Sequence, residues 1–255
     1  MQPTPENEIF QPLRNVVKIY PNLVRLYKYK TPTKIRSKGW ERTDGIPETT
    51  KSSNPKTTPQ SFQKSIQRTK TRITDYVLAN KFDLFVTFTF ATDRQDQQKV
   101  KTKLSTWLKS QQKRHGKFQY LLIPEFHKDG KSIHFHGLFS NYKGGLSDSN
   151  KRTKTGQTIY NISSYRKGFT TAIYLTNQEI VANYVRKYIT KDMPIQKNQR
   201  RYWVSKDLLK PEVFHNQNIS ETNFEELFEN EYLFISQFQS KMPILSNQGV
   251  NNGKN

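Results

Sequence analysis

The segment at residues 123–139, IPEFHKDGKSIHFHGLF, leaves this chain few choices of fold. Two runs with alternating side chains flank Asp129-Gly130, a strong signal for a two-residue β-hairpin loop. With those two residues as the loop, Lys128 pairs with Lys131, His127 lies opposite Ser132, and Glu125 lies opposite His134. Opposed residues share a sheet face, and so do residues two apart on one strand. Glu125, His127, His134 and His136 therefore project from one side. Ile133, Phe135 and Phe139 project from the other, into a core.

Two imidazoles and a carboxylate converging on one face form a candidate divalent-metal site. Neutral imidazole and carboxylate suit such ions and leave positions open for water and a phosphate oxygen. His127 has three readings: a fourth ligand, a partner of a ligand, or an exposed loop residue. His115 and His215 sit in polar contexts and receive no role.

Around this hairpin the pattern reads as α+β. FDLFVTFTF (82–90), FQYLLIPE (118–125), TIYNI (158–162), FTTAIYL (169–175) and RRYWVS (200–205) have strand composition. A helix is predicted from about Asp93 to Arg114, with Val100, Leu104, Trp107, Leu108 and Gln111 as its inward stripe. SIQRTKTRITDYVLAN (65–80) reads as another helix, basic on one side at Arg68, Lys70 and Arg72. VVKIYPNLVRLYKYK (16–30) suits a short hairpin. Residues 1–13 and 246–255 read as disordered, 31–61 as a basic linker, and 143–157 as a basic Gly- and Ser-rich loop. SETNFEELFENEYLFISQF, in the acidic C-terminal part, reads as an amphipathic helix with Phe224, Leu227, Tyr232 and Phe234 as contacts. The division expected is a basic, partly disordered extension (1–64), a central domain (65–205) and an acidic, partly helical tail (206–255).

NYVRKYITKD (183–192) holds the unit Tyr-x-x-Lys twice: Tyr184 with Lys187, and Tyr188 with Lys191. Thr176 and Glu179 have the spacing of a capping box at the start of this helix. Val181, Val185 and Ile189 form one row suited to the core, and Ile180, Tyr184 and Tyr188 form the neighbouring row. The tyrosines stand at the edge of the buried stripe. They are either packing residues or nucleophiles facing a cleft.

Charge narrows the partner. The 255 residues carry a net charge of +21, which points to a polyanion, because neutralising phosphates releases condensed counterions. No apolar run approaches the ~20 residues needed to span a bilayer. No signal peptide opens the chain, and the absence of cysteine excludes disulfides and thiolate metal sites. The expectation is a soluble, cytoplasmic protein directed at nucleic acid, with no membrane partner.

FVTFTF, HFHGL and YVRKYITK, in that order, resemble the three motifs of the HUH rolling-circle replication initiators. More narrowly, they resemble the group containing bacteriophage gene A and gene II proteins, microvirus replication proteins and some plasmid initiators. The resemblance covers about residues 65–205. It implies a ferredoxin-like or RRM-like domain: an antiparallel sheet with helices packed on one face and DNA on the other. It implies a nick in single-stranded or hairpin origin DNA, dependent on Mg2+ or Mn2+, with a covalent 5′-phosphotyrosine. His134, His136 and Glu125 would be the metal ligands, and Tyr184 and Tyr188 the nucleophiles, with Lys187 and Lys191 beside them. Thr87, Thr89, Lys151, Arg152 and Lys154 join Arg68, Lys70 and Arg72 as candidate DNA contacts. A host helicase and polymerase are implied as partners in a bacterial cytoplasm, since the chain holds no P-loop motif.

Two other readings stay open. One is a relaxase or single-strand transposase of the same superfamily, although a relaxase places its tyrosine before the histidine motif. The other is a non-catalytic RRM-like module. That module needs aromatics on the sheet face but has no use for Glu125 opposite two histidines.

Overall fold

Leu84-Phe85-Val86 is apolar on three consecutive residues, so a strand built from them needs cover on both faces. The computed structural model supplies it. It describes residues 10–11, 14–30, 33–34, 59–175, 178–188, 200–217, 219 and 221–239. The chain divides into two units, residues 58–210 and residues 1–57 with 211–255.

The N-terminal elements are β1 (Phe10–Gln11), β2 (Asn15–Tyr20), β3 (Leu23–Tyr29) and β4 (Thr33–Lys34). The central unit follows with α1 (Pro59–Ala79), β5 (Leu84–Phe88), α2 (Gln97–His115), β6 (Gln119–Phe126) and β7 (Ile133–Ser140). It continues through β8 (Leu146–Arg152), β9 (Thr158–Ile162), β10 (Thr170–Tyr174), α3 (Gln178–Arg186) and β11 (Trp203–Val204). The last strands are β12 (Glu212–His215), β13 (Glu225–Glu229) and β14 (Leu233–Gln239).

In the central unit seven strands form one antiparallel sheet in the order β11-β6-β7-β5-β10-β9-β8. The α+β class is as expected. The helices, however, are not confined to one face. Leu84, Val86, Phe88, Phe135 and Phe139 pack with Val100, Leu104, Trp107 and Leu108 of α2. Phe85, Leu121, Ile123 and Leu138, from the opposite face, pack with Ile66, Ile73 and Val77 of α1 and Val181 and Val185 of α3. The cause is the unbroken apolar run in β5 and in Leu121-Leu122-Ile123, which buries both faces.

Helix α2 buries the five residues of its predicted stripe. Its first turn is capped by Asp96, which accepts from the Lys99 backbone N–H at 3.0 Å. Segment 143–157 is not all loop. β8 pairs with β9 through a bulge at Asp148/Lys151, where Asn150 has φ 57°. Its basic, Gly- and Ser-rich composition suggests a loop, but as an edge strand β8 needs no apolar face.

The second unit holds a five-stranded antiparallel sheet in the order β12-β2-β3-β14-β13, besides the pair β1-β4. The expected hairpin at 16–30 is β2–β3. The predicted acidic helix is instead the hairpin β13–β14. Asn230 sets its turn by accepting from the backbone N–H groups of Tyr232 and Leu233. The glutamates of β13 stay exposed on a sheet edge. Lys28 of β3 and Lys30 just after it pair with Glu221 and Glu229. Thus part of both predicted tails is strand. Most of residues 1–13 and of the predicted linker, the segment 246–255, Thr176, Ile189 and Lys191 lie outside the described residues. Among the described residues, no helix is long and apolar enough to cross a membrane.

Candidate metal centre and tyrosine cluster

Strands β6 and β7 pair in the predicted register: Glu125 lies opposite His134 and Ile123 opposite His136. The turn itself is wider than two residues. The Gly130 N–H donates to the His127 carbonyl (2.8 Å) and the His127 N–H to the Ser132 carbonyl (2.7 Å). Gly130 supplies the positive φ, 66°. Asp129 ties the loop by accepting from the backbone N–H groups of Lys131 and Ser132 (2.9 and 2.7 Å) and the Ser132 hydroxyl (2.5 Å). These bonds hold its carboxyl well below the usual carboxylate range.

This register brings three donors together. Glu125 Oε2 lies 2.8 Å from Nε2 of both His134 and His136, and the two Nε2 atoms lie 2.9 Å apart. Protons cannot satisfy this triangle well. Two inward N–H groups would face each other, and one inward N–H leaves a contact without a hydrogen. A cation at the centre satisfies all three lone pairs. Two imidazoles and a carboxylate are a donor set that suits a divalent cation.

The surroundings prepare His136 as a ligand. It is buried, and burial, with the facing His134, pulls its pKa down to about 4 against the opposing pull of Glu125. It is neutral at pH 7. Its Nδ1 lies 3.2 Å from Thr87 Oγ1. With the Nε2 lone pair turned inward, Nδ1–H donates to that hydroxyl and fixes the tautomer. This role of Thr87 was missed in the sequence, because it depends on the β5–β7 pairing of Thr87 with His136. His127 stands outside the three-residue cluster. Its ring meets His134 edge-on, centroids 5.8 Å apart.

The tyrosines lie beside the same centre. Helix α3 ends at Arg186, and the chain tightens into i→i+3 hydrogen bonds, Lys187 to Tyr184 (3.1 Å) and Tyr188 to Val185 (3.2 Å). Val181 and Val185 are buried as expected. The Tyr188 ring stacks on His136 at 3.8 Å and 17°, and the Tyr184 ring meets Tyr188 at 5.4 Å and Phe85 at 5.2 Å. Tyr184 is 42% exposed, with the Lys187 ammonium 5.6 Å from its ring centre. Tyr188 is half-buried. Burial first, then its hydrogen bond to Tyr184 and the charge of Glu125, push its phenol pKa up.

The other predicted site residues are dispersed. Arg68, Lys70 and Arg72 lie on α1, with Arg72 hydrogen-bonded to Tyr202. Thr89 exchanges hydrogen bonds with the Phe169 backbone. Lys151 and Arg152 lie on β8 and Lys154 beyond it, four strands from β7 or about 19 Å at ordinary strand spacing. Arg152 is engaged by both Asp148 oxygens at 3.0 Å.

The fold and site together define an antiparallel α+β domain with a carboxylate and two histidines poised for a metal beside paired tyrosines. Residues 83–193, a little under half the chain, match the family model for replication-associated proteins of the ORF2 and gene II protein type. The matched span contains the three metal donors and both tyrosines, and the likeness supports a replication-associated role. No curated protein and no solved structure matches the chain.

Proposed function

We propose that this protein initiates rolling-circle replication by nicking single-stranded origin DNA through a tyrosine. It then holds the 5′ end covalently and later rejoins ends. The observation that carries the reading is the stacking of Tyr188 on the metal-donor His136, with Tyr184 against Tyr188. A packing tyrosine has no need to adjoin a donor triangle.

Mg2+ or Mn2+ held by Glu125, His134 and His136 would offset the charge that builds on the phosphate oxygens. The tyrosine oxygen bonds to phosphorus, and its proton leaves to solvent. The bond from phosphorus to the 3′ oxygen breaks, and that oxygen takes up a proton as a free 3′-OH. Lys187, beside Tyr184, favours the developing phenolate, a part in which we also place Lys191. The 3′-OH primes a host polymerase while a host helicase opens the duplex. After copying, the second tyrosine attacks the regenerated site. The 3′-OH it frees attacks the first phosphotyrosine, restoring a phenol and closing a circle. Arg68, Lys70, Arg72, Lys151, Arg152 and Lys154 are the proposed phosphate contacts.

The test is a covalent-adduct assay with Mn2+ and single-stranded oligonucleotides tiling the DNA around the gene. A metal-dependent adduct lost only in Tyr184→Phe/Tyr188→Phe establishes two nucleophiles. Loss in one single variant leaves the other tyrosine a helper; we then expect the exposed Tyr184 to be the nucleophile. Tight binding without an adduct from any tile overturns the nickase and favours a non-catalytic binding module.

A further inference from the structure

The metal-bearing face carries an exposed aromatic that the chemistry above does not use. Phe169, immediately before β10, is 82% exposed. Its backbone is pinned: the Thr89 N–H donates to its carbonyl (2.9 Å), its own N–H donates to Thr89 Oγ1 (3.0 Å), and that hydroxyl donates to the carbonyl (3.1 Å). Gly168 before it lies so close to Thr89 that a Cβ there would meet the Thr89 carbonyl oxygen at 2.3 Å. The chain is therefore shaped to hold a large apolar ring out in solvent. A ring carried on a pinned backbone loses less conformational entropy on binding than one carried on a mobile loop.

Strand register places that ring. Phe88 pairs with Phe135 on β7 and with Thr170 on β10. Continued one step beyond the paired residues, this register sets Thr89 opposite His134 and Phe169 opposite Thr89, the latter two joined by the Thr89 N–H to Phe169 carbonyl bond. Glu125, His134, Thr89 and Phe169 thus form one row across four neighbouring strands. At ordinary strand spacing Phe169 stands about 10 Å from His134. Between them is a cavity of about 220 Å³ lined by Thr89, Arg94, His127, His134 and Phe169 among others. Arg94 is exposed but anchored, its carbonyl accepting from the Ile133 N–H at 2.7 Å. Lys167 is also exposed, and its carbonyl accepts from the Ala91 N–H at 2.8 Å.

We propose that Phe169 is the stacking platform for a nucleobase of single-stranded DNA next to the scissile phosphate, with Arg94 and Lys167 flanking the backbone of that nucleotide. The inference rests on the reading that the scissile phosphate sits at Glu125, His134 and His136. A lone aromatic between cations is the arrangement that accepts any base without reading its edge. His127, edge-on to His134, also lines this cavity and so gains a place that metal ligation does not give it.

Two readouts test this on the full chain with Mn2+. The first is anisotropy of a fluorescein-labelled oligothymidylate of about 20 nucleotides, longer than the usual footprint of a single-strand site. Phe169→Ala is expected to weaken binding about five- to hundredfold, and Phe169→Trp to retain it. The second is adduct formation on a cleaved tile with one abasic residue at successive positions. The wild type should lose adduct at one position near the nick, and Phe169→Ala should be indifferent to an abasic residue there. Unchanged binding in Phe169→Ala, equal loss in Phe169→Trp, or an abasic penalty that persists in Phe169→Ala overturns the inference and leaves the nickase standing. If no tile is cleaved but Phe169→Ala still weakens binding, the nickase falls and Phe169 stands as a single-strand contact.

Discussion

Thr87→Val removes one hydroxyl and keeps the shape of the side chain. It deprives the His136 Nδ1 of its partner at 3.2 Å. Losing an outer partner of a ligating histidine costs ~10–100-fold in metal affinity. The bond is at the long end of the N–H···O range, so the lower half is expected, about 10–30-fold, or ~1.4–2 kcal/mol. The metal-free protein should also be less stable, because the buried imidazole keeps an unpartnered N–H, at a cost of ~1–3 kcal/mol. Thr87 is half-buried, and water reaching it places this near ~1 kcal/mol, or about 2–4 °C in melting temperature. Mn2+ titration calorimetry and thermal melts on wild type, Thr87→Val, His136→Ala and the double variant measure both effects. The two losses should not add, since Thr87 acts only through His136. Wild-type affinity in Thr87→Val, or an undiminished Thr87 effect in the His136→Ala background, would refute the assigned tautomer.

Gly137→Ala should destabilise the protein by ~1–3 kcal/mol, read as a lowered melting temperature, because its Cβ would stand 2.5 Å from Leu122 Cδ2 and 3.1 Å from Val86 Cγ2. Saturating Mn2+ at about 100 times Kd should raise stability by ~2.7 kcal/mol, and EDTA should reverse it; a shift that survives Glu125→Ala would place the ion elsewhere. Asp129 titrates lower in the folded than in the unfolded chain. Its contribution is therefore complete above pH 3.8 and is lost as pH falls through the folded value. Asp129→Asn should flatten the acid limb of the stability curve, and an unchanged limb would mean that the loop bonds act without the charge.

The cluster of Glu125, His134 and His136 was legible because it is local. Glu125, His134 and His136 sit on two strands joined by one short loop, and a period of two fixes which side chains share a face. Asp129-Gly130 misled about the turn but not about the register, because a wider loop closing at His127 and Ser132 preserves the same pairing. What could not be read depends on pairings distant in sequence. Thr87 reaches His136 only once β5 lies beside β7, and Phe169 joins the row only once β10 lies beside β5. The acidic tail misled for a related reason. Glutamates at 225, 226 and 229 suit a helix by propensity, but β14 pairs along its length with β3, some two hundred residues earlier in the chain. Tertiary pairing overrode propensity there, as it did for the polar edge strand β8.

The doubled Tyr-x-x-Lys unit looks symmetric in sequence and is not symmetric in the fold. Residues four apart on a regular helix present similar environments, but here α3 stops at Arg186 and the tighter turn that follows carries Tyr188 onto the His136 ring. Tyr184 is left against Phe85, the edge of Tyr188 and solvent. The two rings should therefore differ in structural weight whatever their chemistry. Tyr188→Ala strips a stacked ring from the buried His136 and, at half burial, should cost about half of the ~3–5 kcal/mol of a buried aromatic truncation. It should also weaken Mn2+ binding. Tyr184→Ala removes an exposed ring and should cost ~1 kcal/mol or less. Melts and Mn2+ titrations of both, with the Tyr→Phe variants as controls that keep each ring, separate packing from chemistry. Equal costs at the two positions would mean that Tyr188 does not rest on His136, and the main support for a tyrosine acting there would be gone.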